Sequence, residues 1–95
     1  MGSVEGDVGP DAVPAPRLEA RVRNLGDKVL VAGPEQVLEL ADTAVVIWKS
    51  IDGKRTVREI GSVLASEYDV DEETATRDVA ELVEELVQGE IVRLR

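Results

Sequence analysis

Gln36-Val-Leu-Glu-Leu-Ala-Asp-Thr-Ala-Val-Val-Ile-Trp-Lys-Ser-Ile-Asp-Gly-Lys-Arg-Thr-Val-Arg-Glu-Ile60 is the stretch whose reading decides the fold. Gln36–Leu40 reads as a short apolar strand. From Asp42 the period changes to that of a helix. Ala44, Val45, Trp48 and Ile51 fall on one face, and Asp42 stands where a side chain can accept from first-turn N–H groups. Asp52-Gly53 stops this helix, with Gly53 suited to the left-handed position that follows one. Thr56-Val-Arg-Glu59 is a capping box. It opens a second helix that presents Val57, Ile60, Leu64 and Tyr68.

Upstream, the signals are for strands. Leu18, Ala20 and Val22 alternate with charged residues, as in a half-buried strand. Asn24-Leu-Gly-Asp27 supplies turn chemistry, and Lys28–Ala32 is β-branched and apolar. Gly33-Pro34-Glu35 turns the chain into Gln36–Leu40. Sequential strands with short turns imply an antiparallel meander. Residues 1–16 carry three Gly, three Pro and three acids, a density of breakers in which no period survives. They read as a disordered acidic tail.

Downstream, Asp71 is placed to cap a third helix reaching about Gln88. Its stripe is Ala75, Val79, Leu82 and Leu86, widened by Val83 and Val87. Gly89 ends it, and Ile91–Leu94 is expected to pack back as an extended tail. The sum is an α+β domain over residues 17–95, a three-stranded antiparallel sheet followed by three helices.

Composition excludes much. The 95 residues contain no Cys and no His, which removes thiol chemistry, imidazole acid–base catalysis and thiolate or imidazole metal sites. No cofactor, metal site or catalytic residue is expected. Eleven basic residues stand against 20 acidic ones, a net of -9, so nucleic acid is not an expected partner. No window approaches the ~18 apolar residues of a membrane span, and the first residues lack the basic and apolar regions of a secretory signal. The expected setting is soluble and cytoplasmic.

Other features have bland readings. Ten acids and one base lie between Glu67 and Glu90. They read as a solvated helix face rather than metal ligands, because no Asp-x-Asp-x-Asp-Gly spacing is present. Glu84 and Glu85 sit near the helix C-terminus, where the dipole disfavours acids, which suggests a surface kept negative for a cationic partner. Trp48 reads as a core anchor. A sheet of three strands has two edges, and an open edge is either blunted, here by Pro34, Glu35 and Glu39, or used to accept a peptide strand.

The order and wording of these segments resemble the PqqD-like family, the leader-peptide-binding domains also called RiPP recognition elements. The resemblance spans about residues 17–94. It is carried by Val29-Leu-Val31, Val37-Leu-Glu-Leu40, Thr43-Ala44 through Trp48, Ile51-Asp-Gly-Lys-Arg-Thr-Val-Arg-Glu-Ile60, and Asp78 through Gly89. It implies a winged-helix-like arrangement and a non-enzymatic adaptor. Such a domain binds the leader of a ribosomally made precursor peptide as an added strand and presents it to a modifying enzyme, often a radical SAM protein. Carried over position by position, the peptide site would be Gln36, Val37, Leu38, Glu39 and Leu40 on the third strand, with Ala75, Asp78, Val79, Leu82 and Leu86 on the third helix. One departure is Leu40-Ala41 where relatives often carry Leu-Asn. Whether the product is pyrroloquinoline quinone, a lasso peptide or another modified peptide is not written in these residues.

Three rival readings are open. An acyl or peptidyl carrier needs a Ser, usually after Asp, at a helix start, and none of Ser3, Ser50, Ser62 and Ser66 follows Asp. A winged-helix DNA binder needs a basic recognition helix, and the third helix is acidic. A self-pairing module would join two copies as a homodimer through the open edge.

Overall fold

The computed structural model describes residues 8–95. The strands are β1 Pro14–Pro16, β2 Arg21–Leu25, β3 Lys28–Ala32 and β4 Val37–Ala41. Helices α1 Thr43–Ser50, α2 Val57–Tyr68 and α3 Glu72–Gln88 follow, and β5 Val92–Leu94 closes the chain. β2, β3 and β4 form an antiparallel sheet in chain order, and β1 pairs antiparallel with β5 in a separate ribbon. This is the α+β arrangement expected, a three-stranded antiparallel sheet followed by three helices, with the ribbon added.

Each strand alternates between two faces. On β3 and β4 the inner set is Val29, Val31 and Leu40, all buried, with Leu38 half-buried beside them. The outer set is Lys28, Leu30 and Ala32 with Val37, Glu39 and Ala41, as the register requires. A cross-strand ion pair, Lys28 Nζ to Glu39 Oε2 at 3.4 Å, lies on that outer face. Gly26, at φ 68°, opens the two-residue turn between β2 and β3, a position where other residues are strained.

The helices cover only the inner face. Ile47 and Ile51, then Val57, Ile60 and Leu64, then Ala75, Val79, Val83 and Leu86 meet Val29, Val31 and Leu40 in one core, which Ile91 and Val92 close. Gly61 lets α2 and α3 approach closely: a Cβ there would stand 2.9 Å from the Thr76 Cα. The capping box is formed. Glu59 N–H donates to Thr56 Oγ1 at 3.1 Å, and Thr56 N–H donates to Glu59 Oε1 at 2.8 Å. Thr74 N–H donates to Asp71 at the start of α3. The end of α3 follows a Schellman pattern, in which Ile91 N–H bonds Leu86 C=O and Glu90 N–H bonds Val87 C=O. Glu90, not Gly89, takes the left-handed conformation there, at φ 60°. Among the described residues no helix is long and apolar enough to cross a membrane.

Several local expectations are corrected. The reading of residues 1–16 as a structureless tail fails for residues 8–16; residues 1–7, which complete that reading, lie outside the described residues. Pro14–Pro16 is a strand, and the segment before it straps the start of α2. Val57 N–H and Arg58 N–H donate to the carbonyls of Ala12 and Pro10, each at 2.9 Å. A helix start leaves such donors orphaned, and a proline-rich segment has acceptors to offer without competing donors. Arg58 also pairs with Asp11 at 2.8 Å. The first strand of the three-stranded sheet, β2, begins at Arg21, because Arg17–Ala20 is drawn into a turn by Ala20 N–H bonding Arg17 C=O, which leaves Leu18 fully exposed. Asp42 sits before α1 at φ 56°, ψ -122° and makes no capping hydrogen bond. This non-glycine geometry carries strain of about 1–3 kcal/mol. Trp48 is half-buried against the core, and Ile47 is the buried apolar side chain of α1, with Ser50 the buried polar one. Wedged between β4 and α2, the helix is turned by one residue from the face its pattern suggests. Tyr68 is exposed at the end of α2.

Gly61→Ala should lower stability by roughly 1–3 kcal/mol through overpacking at Thr76, although alanine is the better helix former; a urea midpoint that stays or rises would refute the close approach. Hydrogen bonds from Thr74, side chain first and backbone second, hold the Asp71 carboxyl below its ordinary value of 3.8. A depressed carboxyl stabilises the fold above its unfolded pKa, and that contribution is lost as pH falls through the folded one. Asp71→Ala should therefore be less stable than wild type at neutral pH, with the gap closing below pH 3.8; urea titrations at both pH values measure it.

Candidate functional site

β4 is an edge strand with β3 on one side only. Gly33 N–H donates to Gln36 C=O at 2.9 Å, which continues the β3–β4 register by one pair. Hydrogen-bonded and non-bonded pairs alternate in an antiparallel ladder, so Leu38 and Leu40 exchange their backbone bonds with Val31 and Val29. The N–H and C=O groups of Val37, Glu39 and Ala41 point to the open edge. Among the described residues nothing pairs with them, which leaves a row of free groups about 17 Å long over five residues.

The end of α3 meets the β3–β4 turn, and a cleft bordered by α3 lies near each end of β4. One, about 470 Å³, is lined by Thr43, Ala44 and Ile47 of α1 and by Asp78, Glu81, Leu82, Glu84, Glu85 and Gln88 of α3. The other, about 430 Å³, lies among Pro34, Glu35, Gln36, Gln88, Gly89 and Glu90. Gln88 borders both, so the clefts meet the two ends of β4, at Gln36 just before its start and at Thr43 just past its end, and none of Val37–Ala41 lines either. The floor of the larger cleft is apolar at Ala44, Ile47 and Leu82, and its helical wall is acidic. Among the described residues, no basic side chain lines it.

Two glycines set the groove's width at one end. A Cβ on Gly33 would fall on the carbonyl oxygen of Gly89, and a Cβ on Gly89 would meet Gln36 Oε1 at 3.0 Å. The β3–β4 turn therefore rests directly on the end of α3. Gly89 serves this contact, and the left-handed turn falls to Glu90.

The residues expected at a peptide site divide by position. Leu38 and Leu40 share the inner face of β4, with Leu40 buried in the core, and Gln36, exposed, stands just before the strand; Val37 and Glu39 side chains point outward while their backbone groups form the open edge. Asp78 and Leu82 line the larger cleft. Ala75, Val79 and Leu86 do not reach it: each is fully buried against the core, one helical step round α3. Ala41, Thr43, Ala44, Ile47, Glu81, Glu85 and Gln88 border the edge or its clefts and were absent from the expected set. Alternation along the strand pointed to Ala41, and the i, i+3, i+4 neighbours of Asp78 pointed to Glu81 and Leu82. Nothing in the sequence placed α1 against α3. Among the described residues, no three acidic side chains converge as metal ligands.

This fold and groove define a class, a small α+β domain that combines an open β edge with an acidic helix. The chain belongs to the PqqD family: the model of coenzyme PQQ synthesis protein D matches residues 28–92. A PqqA binding protein of Xanthomonas campestris pv. campestris (strain B100) is 36% identical over 86 residues, covering 88% of this chain and 94% of that one. The PqqA binding protein of Xanthomonas euvesicatoria pv. vesicatoria (strain 85-10) is 37% identical over 83 residues, 83% of this chain and 90% of its own. Among solved structures, the PqqD truncation of Methylobacterium extorquens PqqCD, a functional stand-alone RiPP recognition element, superposes with a TM-score of 0.79. It shares 26% identity over 95% of this chain and 98% of that one. A lasso peptide synthetase B1 complexed with its leader peptide gives a TM-score of 0.74 at 25% identity, over 86% of this chain and 99% of that one.

Gly33→Ala should force the β3–β4 turn off the end of α3 and destabilise the domain by roughly 1–3 kcal/mol. Denaturant unfolding measures this, and an unchanged midpoint would mean the turn does not rest on α3.

Proposed function

We propose that the domain is a non-enzymatic adaptor, acting in the cytoplasm, that binds the leader of a PqqA-like precursor peptide and presents it to the enzyme that modifies it. The observation that carries this reading is the open edge formed by the backbone groups of Val37, Glu39 and Ala41, with a cleft floored by Ala44, Ile47 and Leu82 between α1 and α3 just past the strand's end. Such an edge accepts a strand through main-chain bonds, and side-chain pockets confer selectivity. The leader would lie along β4, its alternate residues dropping toward Ala44, Ile47 and Leu82. Asp78, Glu81, Glu84 and Glu85 would favour leaders with Lys or Arg nearby and speed their association at low salt. Relatives that are PqqA binding proteins support the choice of precursor.

The edge register makes the test selective. Val37 N–H points away from β3, so Val37→Pro removes a donor from the open edge and leaves the β3 ladder whole. Titrating a fluorescent leader peptide from the precursor gene nearest its own should show binding that Val37→Pro abolishes. Leu82→Ala should weaken it roughly tenfold, with circular dichroism unchanged in both. Affinity should also fall as salt rises. Equal binding by all three proteins would sink strand addition at β4, and a dimer by light scattering that Val37→Pro dissolves would point to self-pairing instead.

A further inference from the structure

The outer face of the β2-β3-β4 sheet carries no helix among the described residues. Its rows, read from the register, are Arg23, Leu30 and Glu39, then Arg21, Ala32 and Val37. Val37 is 63% exposed and Leu25, on the same face, 44%. Beside the second row lies a cleft of about 520 Å³ that also takes in Arg17 and Glu19. Arg17 shares a further cleft with Leu18 and Arg93. Arg93, Arg17, Arg21 and Arg23 thus surround exposed apolar side chains, interleaved with Glu19, which pairs with Arg17 at 3.8 Å, and with Glu39 and Glu90; the surface carries an excess of base on a chain whose net charge is -9. The acids of α3 line the groove on the other side of β4.

The pleat ties this face to the groove. A strand added to β4 extends the sheet, and its side chains alternate between faces. Those of one parity enter the groove. Those of the other join Val37 and Glu39 on the outer face.

We infer that this outer face, with its arginines, is the docking surface for the modifying enzyme, through an enzyme patch that is apolar at its centre and acidic at its rim. The inference rests on the reading that the domain presents a bound leader. The outward leader residues complete the docking surface, so leader and enzyme each strengthen the other's binding by the same factor. Nucleic acid is the lesser candidate for an arginine-rich surface, because the chain's net negative charge opposes a polyanion along its whole length.

The experiment titrates the wild-type domain with the modifying enzyme encoded beside the precursor, and separately with the fluorescent leader. It repeats both with the double variant Arg21→Glu/Arg23→Glu and with Leu18→Asp, all at exposed positions. The expected result is enzyme binding weakened roughly tenfold or more by the double variant and measurably by Leu18→Asp, with leader affinity held within about twofold. Enzyme affinity should also rise when the leader is present. Enzyme binding indifferent to both variants overturns the inference, as does an equal loss of leader binding, or retention of a DNA duplex by wild type that the variants lose. A leader that fails to bind wild type removes the presentation reading itself, a failure read in a separate titration.

Discussion

The contact between Gly33 and Gly89 is the constraint on which the geometry of the groove depends. Backbone meets backbone there with no room for a methyl group. The β3–β4 turn is thereby pinned to the end of α3. From that fixed point β4 runs out with its far side unpaired. A side chain at either glycine would act as a wedge between strand and helix. Gly61 performs a similar service between α2 and α3, so α3 is held close to two neighbours by the absence of side chains as much as by burial of its own. The apolar stripe of α3 is spent mostly on the core, with Leu82 alone of its four residues left at the cleft. That is why Ala75, Val79 and Leu86 are inaccessible and why the groove meets α3 at the border of its polar face.

Much of this was legible in the chain. The capping box at Thr56 and Glu59, the cap at Asp71 and the change of period at Asp42 are local signals with local causes, and each element they announce is present. The strand Gln36–Leu40 was placed to within one residue at each end. What failed was non-local. Residues 10–16 look like a tail because no period survives their prolines, yet their carbonyls meet donors on Val57 and Arg58, more than 40 residues away. Leu18 alternates correctly for a strand, but Arg17 and Ala20 close a turn that removes it from one. Trp48 was favoured as core because of its size; the packing of α1 between β4 and α2 chose Ile47. At the groove, the strand residues followed from the pattern. On α3 the stripe could not be divided between core and cleft without knowing how the helix is rotated, and only Asp78 and Leu82 of the five expected there line the cleft.

Charge is distributed with the same economy. The acids crowd α3 and its approach, where they are solvated and face the groove. Four arginines lie on the side of the sheet that the helices leave bare. Individual exposed ion pairs such as Lys28–Glu39 contribute little to stability. Glu19, Glu39 and Glu90 lie among those arginines, yet the local excess of base on so acidic a chain is a statement about partners rather than about folding.

The ribbon of β1 and β5 fastens two distant parts of the chain to each other. Pro14 stands opposite Leu94 in an antiparallel pair, and partners in such a pair have Cα atoms about 5 Å apart. The segment that straps α2 and the segment that leaves α3 are thus held by one clasp, and a change that opened the ribbon would loosen both at once. The edge of β4 belongs to the other sheet, so its backbone groups are not drawn into that clasp.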